Sequence, residues 1–152
     1  MSVLVTKPAP DFTADAVFAD GSFGTVSLSQ FKGKYVVLFF YPLDFTFVCP
    51  TEIIAFDHRI AEFKARGVEV LGCSIDSKFS HWAWRNTKVK DGGIGEIGYT
   101  LVSDLSKQIG KDFDVLRRMY LPISGLANGR MIDTIGIPVF PAQAVPASSQ
   151  LP

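Results

Sequence analysis

The chain is poor in five features, and each shortage excludes something. Cys49 and Cys73 are the only cysteines among 152 residues. Two could close a single bridge, but small secreted scaffolds carry more cysteines at tighter spacing, so the pair points to a reducing compartment. There is no excess of charge, because 15 basic residues balance 15 acidic ones. That balance gives no electrostatic reason to expect nucleic acid or an anionic membrane as partner. The longest apolar run, Tyr35 to Tyr41, falls far short of the ~20 residues a membrane helix needs. The start, Met1-Ser-Val-Leu-Val-Thr-Lys7, lacks the basic region, apolar run and cleavage site of a secretory signal. The expectation is a soluble, cytoplasmic protein. Histidine is scarce as well: His58 and His81 stand alone, without metal-ligand spacing to either cysteine, so no metal is expected. His58, between apolar-stripe positions of a helix, reads as a surface residue.

What the chain does contain is 47% hydrophobic residues, with 13 phenylalanines, enough for one compact domain with a bulky, layered core. Lys7-Pro-Ala-Pro-Asp11 is extended because two prolines forbid a helix. Phe12–Phe18, the turn Asp20-Gly21 and Thr25–Leu28 suggest an N-terminal hairpin. Tyr35-Val-Val-Leu-Phe-Phe-Tyr41 has no polar alternation and suits a strand covered on both faces, as in a parallel sheet. Apolar residues at Ile53, Phe56, Ile60 and Phe63 give a buried helical stripe over 51–66, with Gly67 as its stop. Val68–Asp76 is the next strand, which makes a strand–helix–strand unit and an α/β class. A helix over 80–90, a strand over 99–104 and a helix over 105–113 follow. Trp82 and Trp84 are two residues apart, which on a helix puts one in the core and the other toward a surface.

After Arg118 the character changes. Only Arg130 and Asp133 are charged, while Pro122, Pro138, Pro141, Pro146 and Pro152 interrupt the chain. A strand over 131–140 is allowed, but Pro138 confines it to a sheet edge. The organisation expected is a domain over 1–118 and a divergent, Pro-rich tail over 119–152.

Phe40-Tyr-Pro-Leu-Asp-Phe-Thr-Phe-Val-Cys-Pro-Thr-Glu52 sets a cysteine between the buried strand and the amphipathic helix. A thiol is a weak nucleophile until ionised, and its free pKa of about 8.5 leaves few per cent thiolate at neutral pH. Cys49 falls at the first turn of the helix, where unpaired N–H groups and the helix dipole favour negative charge. Pro50 suits that turn because its missing N–H is not needed there. Thr46 can cap the turn or direct its hydroxyl at the thiol. Pro42 ends the strand and screens its surroundings from water. These features point to a low-pKa thiolate at the carboxyl end of a strand, where α/β folds place their sites. A small buried core cysteine is the plain alternative.

Pro42-Leu-Asp-Phe-Thr46-Phe-Val-Cys49-Pro50-Thr-Glu52 resembles the Pro-x-x-x-Thr-x-x-Cys signature of the peroxiredoxins, in particular the alkyl hydroperoxide reductase C / thiol-specific antioxidant branch. Ala9-Pro-Asp-Phe12, Gly33–Pro42, Ser74–Trp84, Gly92-Gly-Ile-Gly95 and Leu101-Val-Ser-Asp104 match as well, so the likeness runs from about Pro8 to Leu116. The resemblance implies a thioredoxin-like fold, a central mixed sheet flanked by helices, and thiol-dependent reduction of hydrogen peroxide and organic hydroperoxides. Cys49 would be the peroxidatic cysteine, cycling through a sulfenic acid. Thr46 would hydrogen-bond peroxide and thiolate, Pro42 would shield the pocket, and Glu52 would help to hold an arginine. No metal or organic cofactor is implied. The implied partners are the peroxide, a thioredoxin-like or flavoprotein disulfide reductant, and further copies of the chain in a homodimer or larger ring.

Two departures qualify that likeness. The branch carries its arginine in Leu-Arg-Gly-x-Phe-x-Ile-Asp, whereas Ile123-Ser124-Gly125-Leu126 has serine at that place. Arg117, Arg118 and Arg130 lack the context. The Val-Cys-Pro resolving cysteine is missing too, and Cys73, at the end of a strand, reads as buried and inert. A reading-frame change or divergent truncation past Leu116 is expected, testable by resequencing. The alternative function is a catalytically impaired thioredoxin-fold protein that binds partners or oligomerises. Gly93-Ile-Gly95-Glu-Ile-Gly98 matches G-x-G-x-x-G literally, yet charged residues precede it and a strand-like run follows, so a surface loop is expected. Asp76, Asp104 and Glu52 read as capping acids, and Lys88, Lys90 and Asp91 as a solvated mixed-charge loop.

Overall fold

A computed structural model of the chain describes residues 4, 7–46 and 49–116, and the backbone of 139–140. Two strands, β1 (Thr13–Val17) and β2 (Phe23–Ser27), form the N-terminal hairpin. β3 (Tyr35–Phe40) leads through a loop to α1 (Cys49–His58), α2 (Ile60–Ala65) and β4 (Val68–Ser74). Then come α3 (Lys78–Asn86), β5 (Thr100–Ser103), α4 (Gln108–Asp112) and the short β6 (Val139–Phe140). The sheet order is β2-β1-β5-β4-β3-β6. β3, β4 and β5 are parallel, while β1 runs antiparallel to β2 and β5, and β6 antiparallel to β3. The sheet is therefore mixed, and β6 is an edge strand directly after Pro138, as proline's missing donor requires.

Successive strand residues point to opposite faces, and the sheet sorts its core accordingly. Val36, Leu38, Phe40, Leu71, Cys73 and Val102 face one side with Phe12, Ile109 and Phe113. Val37, Phe39, Tyr41, Val70 and Leu101 face the other, under Cys49, Ile53 and Trp84. Phe39 stacks on Phe56 of α1 with centroids 4.5 Å apart, which fixes the helix against this second face.

Several element boundaries differ from the expectation. The helix expected over 51–66 starts at Cys49 and is split at Arg59, whose φ/ψ of −110°/8° leaves the helix. Its N–H donates to Phe56 O, a three-residue step that tightens the chain without shifting the apolar stripe. Gly67, with φ 68°, ends the second segment in the left-handed conformation that glycine tolerates. α3 begins at Lys78 because the Ser77 hydroxyl accepts from the Ser80 N–H at 3.2 Å. The helix expected over 105–113 shrinks to five residues. The chain turns first, with Lys107 N–H donating to Asp104 O at 2.8 Å.

Trp84 is fully buried and Trp82 is 44% exposed, the division expected from their spacing. The expected tail over 119–152 lies outside the described residues apart from the backbone of 139–140. No helix among the described residues is long and apolar enough to cross a membrane.

Candidate active site around Cys49

Cys49 opens α1 and is 7% exposed. It stands over the end of β3, beside Tyr41, whose N–H donates to Cys73 O at 3.0 Å across the β3–β4 pair. Pro42 is half-buried just past the strand end, and Thr46 is half-buried three residues before the cysteine. The Thr46 hydroxyl donates to Leu43 O at 3.1 Å. The same hydroxyl also reaches the Cys49 sulfur, and its oxygen has lone pairs to accept from a ligand O–H.

The electrostatics depart from the expected low-pKa thiolate. Burial pushes the Cys49 thiol up from its ordinary value, and the charges of Glu52 and Asp44 push it further. A hydrogen bond with Thr46 and one to the backbone pull it down, less strongly. Among the described residues no cation stands among these influences. The sequence pattern shows the helix start but not how deeply the sulfur is buried or that Asp44 lies near it, and burial is the largest reason the direction is reversed. Burial also raises the Glu52 carboxyl. Ser124 and the candidate arginines Arg117, Arg118 and Arg130 lie outside the described residues.

Cys73 is fully enclosed on the opposite face of the sheet, and burial together with Asp104 pushes its thiol well up. Both cysteines are free, and the sheet between them separates their side chains. Asp104 caps the turn before α4, accepting from Ile109 N–H at 3.1 Å and Gly110 N–H at 2.7 Å. Asp76 caps no helix. It accepts instead from Asp44 N–H at 2.9 Å and the Ser74 hydroxyl at 2.8 Å, because Ser77 already caps α3. His58 is exposed. Gly93–Gly98 is a loop leading into β5, with no helix after it to receive a phosphate. A Cβ at Gly93 would stand 1.9 Å from Thr87 O, so that glycine serves chain packing. Among the described residues no His/Cys/Asp/Glu group could hold a metal ion.

Sequence reasoning missed the group that anchors the loop between Pro42 and Thr46. Asp44 is buried, and its carboxylate accepts from Tyr41 OH at 3.0 Å and His81 Nδ1 at 2.8 Å. The available signal was His81 on the buried side of α3, one turn before Trp84, which needs a polar partner.

A profile of the AhpC/TSA family matches residues 5–132, past the point at Leu116 where the motif likeness ends. The chain belongs to the AhpC/TSA family. The chloroplastic 2-cysteine peroxiredoxin of Chattonella marina var. antiqua is 61% identical over 117 residues, covering 76% of this chain and 60% of that protein. The mitochondrial thioredoxin-dependent peroxide reductase of Drosophila melanogaster is 58% identical over 115 residues, 76% of this chain and 49% of its own length. The crystal structure of reduced Plasmodium vivax 2-Cys peroxiredoxin superposes with a TM-score of 0.74 at 59% identity, over 76% of this chain and 60% of that one. The thioredoxin-like fold is therefore shared at high identity. This AhpC/TSA chain spans between about half and three fifths of the length of these three proteins.

Proposed function

We propose that the chain is a thiol peroxidase of the peroxiredoxin type, with Cys49 as its reacting atom. The observation that carries the reading is Cys49 at the first residue of α1 beside Thr46 and Pro42, in a family member 61% identical to a 2-cysteine peroxiredoxin. The Cys49 sulfur attacks the terminal oxygen of the hydroperoxide. The S–O bond forms, the O–O bond breaks, and the thiol proton passes to the departing oxygen. Products are the Cys49 sulfenic acid and water or an alcohol. Thr46 Oγ1, within hydrogen-bond reach of Leu43 O and of the thiol, accepts the peroxide O–H and orients it. Two equivalents of an external thiol then restore Cys49, releasing water and leaving the donor as a disulfide. The Drosophila relative's name favours a thioredoxin-like donor; a flavoprotein disulfide reductase is the other candidate.

Glu52 keeps a guanidinium near the thiol where one is present; without it, burial and the charges of Glu52 and Asp44 push the thiol up from its ordinary value and slow the first step. That upward push favours a second reading, an impaired enzyme that retains the fold and associates with copies of itself. We place the boundary of the peroxidase domain at 118, with 119–152 as a divergent tail, and the protein in the cytoplasm. Limited proteolysis that leaves residues 1–118 intact supports the boundary, and a cut inside β3 or β4 contradicts it.

The experiment is peroxide consumption with dithiothreitol as donor. The wild-type chain is expected to consume hydrogen peroxide and Cys49→Ser to consume none, with equal urea midpoints. Equal consumption by both proteins removes Cys49 from the chemistry.

A further inference from the structure

The loop that carries Thr46 is held in a conformation its own sequence does not favour. Phe45 has φ 54°, the left-handed region, which costs a non-glycine residue of order 1–2 kcal/mol. Such a kink persists only where its neighbours over-determine it. Here one neighbour is Thr46 and the other is Asp44. Asp44 is fixed from three separate elements: Tyr41 at the end of β3, Asp76 after β4, and His81 on α3. His81 is fully buried, and its two nitrogens face two acceptors, Asp44 Oδ2 at 2.8 Å and Val102 O at 3.2 Å. The imidazole bridges the loop and β5, one ring nitrogen toward each. The ring of Phe45 meanwhile lies 5.8 Å from that of Trp84, one turn along α3 from His81.

We propose that the Asp44–His81 pair is a positioning device for the Cys49 site, holding the Phe45 kink that delivers the Thr46 hydroxyl to the thiol. The proposal rests on the reading of Cys49 and Thr46 as the reacting centre. His81 touches no substrate; it acts through Asp44 on the loop. Displacing a positioned group by about 1 Å can cost on the order of 100-fold in rate, so a loosened kink is felt at Cys49 before it is felt in the sheet.

Removing Asp44 would leave its partners buried without an acceptor and risks the fold, so the test is made at His81. H81N keeps an amide donor near the place of Nδ1, toward Asp44. H81Q reaches toward Val102 O and gives up Asp44. Each variant keeps one of the two hydrogen bonds, so a purely structural role gives both the same peroxide rate, or rates that follow their urea midpoints. The positioning role gives H81N a second-order rate with peroxide roughly ten-fold or more above that of H81Q, at similar midpoints. Equal rates overturn the proposal. Should neither variant fold, Tyr41→Phe removes one donor to Asp44 and leaves the ring in place. A fall of about three-fold in peroxide rate is expected from it, and an unchanged rate overturns the proposal.

Amide hydrogen exchange over residues 43–46 separates failure of this inference from failure of the peroxidase reading. Faster exchange in H81Q than in H81N supports the hold even in a chain that consumes no peroxide. Identical exchange in the two contradicts it.

Discussion

Cys73 and Cys49 lie on opposite faces of one sheet, the first fully enclosed and the second 7% exposed. Around Cys73 the face is built from Val36, Leu38, Phe40, Leu71 and Val102. Burial first and the charge of Asp104 second push that thiol well up. Around Cys49 the opposite face brings polar groups into the interior: Tyr41 with Asp44 and His81, Tyr99 donating to Ile53 O at 2.8 Å, and Trp84 donating to Gly92 O at 3.0 Å. One sheet thus has a side that supplies stability and a side that supplies chemistry. The second must satisfy every polar group it buries, and among the described residues no buried side-chain polar atom is left without a partner.

Alkaline pH should break the chemical face most severely. Burial raises Tyr41 and Tyr99 far above the ordinary tyrosine value. Their neutral forms therefore add stability that is complete below about pH 10, the unfolded value. It is lost as pH climbs toward the folded values, because the unfolded state releases those protons first. Urea midpoints should hold to about pH 9 and fall steeply beyond it, and a midpoint flat to strongly alkaline pH would contradict the enclosure of both phenols. Next in size is Trp84→Ala, expected to remove about 3–5 kcal/mol by urea unfolding, while Trp82→Ala on the exposed side of α3 costs about 0.5 kcal/mol or less.

Truncating each thiol sharpens the comparison between the faces. Cys73→Ala should lower stability by roughly 1–2 kcal/mol without touching peroxide consumption, and Cys49→Ala should abolish consumption at smaller structural cost. The smallest effect is electrostatic. Glu52→Gln removes a charge that raises the Cys49 thiol, so iodoacetamide should alkylate Cys49 about two-fold faster at neutral pH. Slower alkylation would mean that Glu52 holds a cation there.

The strand–helix–strand unit was legible because its signals are local. The unbroken apolar run of β3, the stripe from Ile53 to Phe63 and the stop at Gly67 each follow from backbone geometry, and the structure places all three. The candidate residues Pro42, Thr46 and Cys49 could be singled out because they are close in sequence, and their roles are the proposal made above. The electrostatics of the site were not legible. Asp44 and His81 are separated by α1, α2 and β4 in the chain, and only the parallel crossover brings α3 over the loop. The upward push on Cys49 arises from the same cause, because burial and neighbouring charge are tertiary quantities. The break at Arg59 was hidden for the opposite reason: it leaves the apolar stripe unchanged.

The central claim, that the chemical face and not cysteine as such sets the reactivity, is tested most directly by trapping sulfenic acid. The protein is exposed to one equivalent of hydrogen peroxide with a dione reagent present, folded and again in urea, and the labelled residue is read by mass spectrometry. The account expects label confined to Cys49 in the folded protein and shared with Cys73 in the unfolded one. Equal labelling of the two cysteines in the folded protein, or none at Cys49, would contradict it.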